Sequence, residues 1–98
     1  MDKTYSELFL EGCQFYILAE YARALRCFEA ARNIEATIYI DLWRARTMMD
    51  MNDYFTAMQL LLWLADEHNN DVRVHSMLCR AHVELLTLQP SLQEQPIQ

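Results

Sequence analysis

His75, Cys79 and His82 are spaced so that a helix through them carries two imidazoles and a thiol on one face. These are zinc-binding groups, but about 10 Å of helix axis separates residues seven apart, too far for two ligands on one ion without strain. Only His68 is near enough to add a ligand, so packing or a groove lining is the expected role and no metal is expected. Cys79 beside His82 suggests a thiol nucleophile, yet no orienting Asp or Asn and no glycine-rich oxyanion turn accompany it. Gly12 is the single glycine, which leaves no phosphate-binding loop. Glu7 with Glu11, and Glu29 with Arg26 or Arg32, read as solvated groups at helical spacing, and Asp66-Glu67 as an exposed helix end. The chain is not expected to be an enzyme or to hold a cofactor.

The elements that carry these residues follow from composition and period. Apolar residues make up 53% of the 98 residues, with one Gly and two Pro, both prolines in the last nine positions, which favours helices over sheets. Periodicity places helices over 5–18, 21–34, 37–51, 54–68 and 71–88. Thr4 with Glu7 forms a capping-box pattern, and Asn52-Asp53 and Asn69-Asn70-Asp71 can cap the fourth and fifth helices. The short polar turns predict antiparallel neighbours in one domain over residues 1–88. Residues 89–98 have no apolar period and are expected to be a disordered tail.

The net charge is −6, and the arginines are scattered singly, so no phosphate-binding patch forms and nucleic acid is not an expected partner. Cys13, Cys27 and Cys79 are an odd set at unrelated spacing, which suits a reducing compartment. The first residues lack a signal-peptide pattern, and the longest apolar run, Leu60 to Ala65, is too short for a membrane span. A cytosolic protein is predicted.

An internal repeat is visible. A shift of 34 aligns the first and third helices, pairing Leu8 with Leu42, Phe9 with Trp43 and Phe15 with Met49. A shift of 33 aligns the second and fourth, pairing Tyr21 with Tyr54, Ala24 with Ala57, Leu25 with Met58, Phe28 with Leu61 and Ala31 with Leu64. The unequal shifts predict a turn one residue shorter in the second hairpin. One hairpin cannot bury its own apolar face, so duplication at this period predicts stacking.

Residues 5–36 resemble the tetratricopeptide repeat family. Gly12 and Phe15 match its small residue and following aromatic, and Tyr21, Ala24, Phe28 and Ala31 match its positions in the second helix of the hairpin. Glu11, Ala36 and Arg46 depart from the pattern, standing for a Leu, a closing Pro and the small residue of the second unit. The resemblance implies an all-α, right-handed solenoid of antiparallel helix hairpins, about five helices or two and a half repeats, whose concave groove binds polypeptide.

A second stripe supports that groove. Phe9, Cys13 and Tyr16 in the first helix are matched by Trp43, Thr47 and Asp50 in the third and by His75, Cys79, His82 and Leu86 in the fifth. In the fourth helix Leu60, Leu62 and Trp63 point away from Leu61 and Leu64, which predicts a second interface. The expected function is a chaperone whose groove accepts an amphipathic helix of a partner. In size, acidity and repeat plan the chain is similar to the small chaperones of bacterial type III secretion. That likeness implies a needle subunit as cargo, a second small helical co-chaperone and the bacterial cytoplasm. The alternative is a structural adaptor that self-associates through helix 54–68.

Overall fold

The computed structural model describes residues 2–88; the expected tail, 89–98, lies outside them. Among the described residues the chain is all-helical, with α1 (Tyr5–Ile17), α2 (Tyr21–Ile34), α3 (Ile38–Asp50), α4 (Tyr54–Glu67) and α5 (Val72–Leu88). Every expected helix is present, with ends displaced by at most one residue.

Polar side chains start four of these helices. The Thr4 hydroxyl accepts the Glu7 N–H at 3.2 Å while the Glu7 carboxylate accepts the Thr4 N–H at 3.0 Å, a complete capping box. Thr37 caps α3 through the Ile40 N–H, and Asp53 caps α4 through the Thr56 N–H. At α5 the Asp71 carboxylate accepts the Arg73 N–H at 2.9 Å and holds the Arg73 guanidinium at 2.7 Å. The Arg73 hydrogen bond brings the Asp71 carboxyl down to about 2.

The turns establish the repeat register. Ala19 and Asn52 both adopt positive φ, 60° and 64°, and each ends its helix with the same pair of hydrogen bonds. Glu20 N–H reaches the Phe15 carbonyl and Ala19 N–H the Tyr16 carbonyl; Asp53 and Asn52 repeat this onto Met48 and Met49. Thr4 and Thr37, like Ala19 and Asn52, stand 33 residues apart, and α1 and α3 each have 13 residues, α2 and α4 each 14. One shift of 33 therefore relates both hairpins. The expected shift of 34 for α1 and α3, and the shorter second turn, are corrected: Leu42 and Phe15 attracted the alignment by hydrophobicity, whereas caps and turns fix the backbone.

Under this register Gly12 corresponds to Ala45, so the second unit has its small residue and Arg46 is no departure. Gly12 is buried against Phe28, and a Cβ built on it would lie 2.6 Å from the Phe28 ring. Ala45, fully buried, has room for its methyl because the counterpart of Phe28 is the smaller Leu61.

Consecutive helices pack on one another, and α3 also meets α5, so α1, α3 and α5 form one layer backed by α2 and α4. Ala24, Phe28, Ala31 and Ile40 centre the first hairpin's core. Leu42, Ala45, Met48, Met49, Ala57, Leu61, Leu64, Val74 and Ala81 form the second. Asp41 is buried between the two and takes hydrogen bonds at 2.8 Å from both Arg32 and Arg44. No helix of the described residues is long and apolar enough to cross a membrane.

Candidate functional site

Two seams join the helices of the α1–α3–α5 layer. At the α1–α3 seam, Phe9 lies 5.5 Å from Tyr39 and 5.9 Å from Trp43, ring centre to ring centre. Tyr16 meets the Trp43 indole edge-on at 5.4 Å, and Phe28 of α2 closes the cluster from behind at 5.6 Å from Trp43. The Tyr16 hydroxyl donates to the Asp50 carboxylate across the seam. Burial, reinforced by the Asp50 hydrogen bond and its charge, pushes the Tyr16 phenol above its ordinary range.

The α3–α5 seam places smaller side chains at the same repeat positions. Phe9 and Tyr16 become Leu42 and Met49, and Tyr39 and Trp43 become Val72 and Ser76. A cavity of about 500 Å³ opens there, lined on α3 by Tyr39, Leu42, Trp43 and Arg46 and on α5 by Val72, Arg73, Ser76 and Met77. Its floor is apolar. Arg46 lies at its rim, the guanidinium 5.3 Å above the Trp43 ring and 5.6 Å from Tyr16, with Nε donating to the Tyr16 hydroxyl at 3.1 Å.

The residues expected to line a groove are distributed unequally. Trp43 is the one that lines this cavity. Phe9, Cys13 and Tyr16 are half-buried in the filled seam, where burial raises the Cys13 thiol. Asp50 is held by Tyr16 at the end of that seam. Thr47 is corrected from groove to interior: it is fully buried, and its hydroxyl donates to the Trp43 carbonyl at 2.7 Å.

On α5, Val74 and Ala81 are fully buried, with Met77 and Leu78 against the same core. That rotation presents Val72, Arg73 and Ser76 to the cavity. His75, Cys79 and His82 are exposed on the opposite flank, with Leu86 half-buried beside them, so these four do not line it. The His75 ring lies 2.6 Å from the Asn69 carbonyl through Nε2. Among the described residues, no three His, Cys, Asp or Glu side chains are grouped to hold a metal ion.

The predicted second interface divides as well. Leu60 is half-buried against the second core, a correction to its outward assignment, while Leu62 and Trp63 are 53% and 48% exposed. Phe55, one side of α4 with Leu62, is 59% exposed and joins that surface. Tyr39, Leu42, Arg46, Val72, Arg73, Ser76 and Met77 were not singled out as site residues. The 33-residue register finds them, because it aligns Trp43 with Ser76 and Tyr39 with Val72.

The fold and cavity define an all-helical protein with a duplicated hairpin, a closing fifth helix and one open seam. No protein-family model, curated protein or solved structure matches the chain.

Proposed function

We propose that this chain is a protein-binding chaperone that holds an amphipathic helix of a partner polypeptide along α3 and α5. The observation that carries this reading is the apolar cavity at a seam whose counterpart is filled by aromatic rings. Burying one Leu- or Phe-sized side chain there contributes about 1.5–3 kcal/mol, enough to anchor a helix whose other contacts are weaker. Trp43 and Met77 form adaptable walls for such an anchor. The partner is a subunit that polymerises after export, the needle subunit of a bacterial type III secretion system, held in the cytoplasm with a second small helical co-chaperone. That step is supported by the short repeat plan and the acidity of the chain.

Affinity purification of the full chain from its host, alongside a Ser76→Phe variant, tests the reading. Ser76 is exposed at the cavity, so the added ring fills it without disturbing the core. A partner recovered with the wild type and lost with the variant, at an unchanged thermal midpoint, is the expected result. Recovery of a lone monomer, or of the same partner with both, sinks it. The alternative, self-association through α4, is favoured by the exposed Phe55, Leu62 and Trp63. It predicts a defined oligomer that Trp63→Glu dissociates and Ser76→Phe leaves intact.

A further inference from the structure

Most cations of this acidic chain are already matched. Lys3 pairs with Glu11, Arg23 with Glu20 at 3.4 Å, Arg32 and Arg44 with Asp41 at 2.8 Å, and Arg73 with Asp71 at 2.7 Å. Arg46 differs. It has no ion pair among the described residues, and its single hydrogen bond spends Nε on the Tyr16 hydroxyl. Two aromatic rings hold the guanidinium at the cavity rim while both terminal nitrogens remain without a hydrogen-bond partner among the described residues. The position is not dictated by the scaffold, since its counterparts 33 residues before and after are Cys13 and Cys79. Across the slot α5 contributes Arg73, and Arg80, seven residues on and so on the same face, has no ion pair either.

A guanidinium held over rings is preorganised and weakly hydrated, and its free edge matches a carboxylate. Around it the surface is acidic, with a net charge of −6 for the chain. A basic helix would be drawn to the protein generally but would leave Arg46 unpaired once docked. From this charge complementarity we infer that the polypeptide taken up between α3 and α5 is an acidic amphipathic helix, with an apolar side chain entering the cavity and an Asp or Glu within one turn of it pairing with Arg46. This rests on the groove reading above. From Tyr39 to Arg46 the α3 wall spans about 10 Å, so two turns of a ligand helix are in register with the site.

The test uses the full chain carrying Trp63→Phe, in which Trp43 is the sole indole and reports directly on the cavity. Two synthetic helical peptides of about 18 residues share one leucine stripe and differ only in flanking residues, Glu in one and Lys in the other. At physiological salt the Glu peptide is expected to bind about three- to tenfold more tightly. Arg46→Gln should bring the two to parity while Arg46→Lys keeps the preference for Glu, which a purely packing role for the side chain does not produce. Equal binding by the unsubstituted Arg46 protein, or tighter binding of the Lys peptide, overturns the inference and leaves the groove reading standing. Failure of both peptides to change the Trp43 emission removes the groove reading, and this inference with it.

Discussion

At the α1–α3 seam four aromatic rings meet across the gap, whereas at the α3–α5 seam the same positions carry Leu42, Met49, Val72 and Ser76 around a cavity of about 500 Å³. The backbone plan is shared: the turns match hydrogen bond for hydrogen bond, and the caps recur after 33 residues. What separates a filled seam from an open one is therefore side-chain volume at repeated positions. A repeat scaffold fixes where neighbouring helices pass, and the residues facing the gap decide whether it becomes core or a site. Trp43 belongs to both seams, closing one with its contacts to Phe9, Tyr16 and Phe28 and walling the other.

The sharpest way to break the contrast is to remove that shared ring. Trp43→Ala deletes the centre of the aromatic cluster and is expected to destabilise the fold by about 3–4 kcal/mol, measured by urea denaturation. Trp63→Ala, by comparison, removes an indole that is 48% exposed and should lower stability by no more than about 1 kcal/mol. Comparable losses at the two tryptophans would mean that the α1–α3 cluster is not the structural seam.

A smaller effect tests the match between units. Gly12→Ala drives a methyl into the Phe28 ring, whose nearest atom lies 2.6 Å from the added Cβ, and is expected to destabilise by about 2 kcal/mol. The second unit solves the same crossing with Ala45 and Leu61. Gly12→Ala with Phe28→Leu should thus be more stable than the sum of the single changes predicts, by about 1 kcal/mol in a double-mutant cycle. Strict additivity would contradict the 33-residue register.

That register also explains what was legible in the sequence. The five helices and the capping box were, because capping residues and the 3.6-residue period act locally. The second hairpin helix aligned correctly because Ala24, Phe28 and Ala31 have similar-sized, buried counterparts. The first did not. Asp41, an acid buried between Arg32 and Arg44, occupies the position of Leu8 and Val74, so hydrophobicity slid the alignment by one residue. The rotation of α5 was equally hidden: Val74 and His75 begin competing stripes, and only the packing of Val74 and Ala81 on α4 selects one. A cavity made by small residues leaves no motif, because its signal is the absence of an expected ring at Ser76.

Within the filled seam, Tyr16→Phe removes the hydroxyl that joins α1 to Asp50 and Arg46, at about 1 kcal/mol near neutral pH. The folded phenol titrates above its unfolded counterpart, so its contribution is intact below the ordinary tyrosine pKa of about 10 and fades as pH rises through the folded value. The difference in thermal midpoint between Tyr16 and Tyr16→Phe proteins should therefore be constant from pH 7 to 9 and shrink above about 10. A difference that grows with pH would reverse the assigned environment.

The smallest effect concerns the two turns. Ala19 and Asn52 both occupy the left-handed region, but only asparagine tolerates it well, since the alanine Cβ crowds the following carbonyl. Ala19→Gly removes that strain and adds some unfolded-state entropy, for a net gain of about 0.5 kcal/mol. Asn52→Ala in the second unit should lose a comparable amount. Opposite signs at equivalent positions, read from chemical-denaturation midpoints, are what two copies of one turn require; a loss at both would mean that the first turn is not held in the conformation of the second.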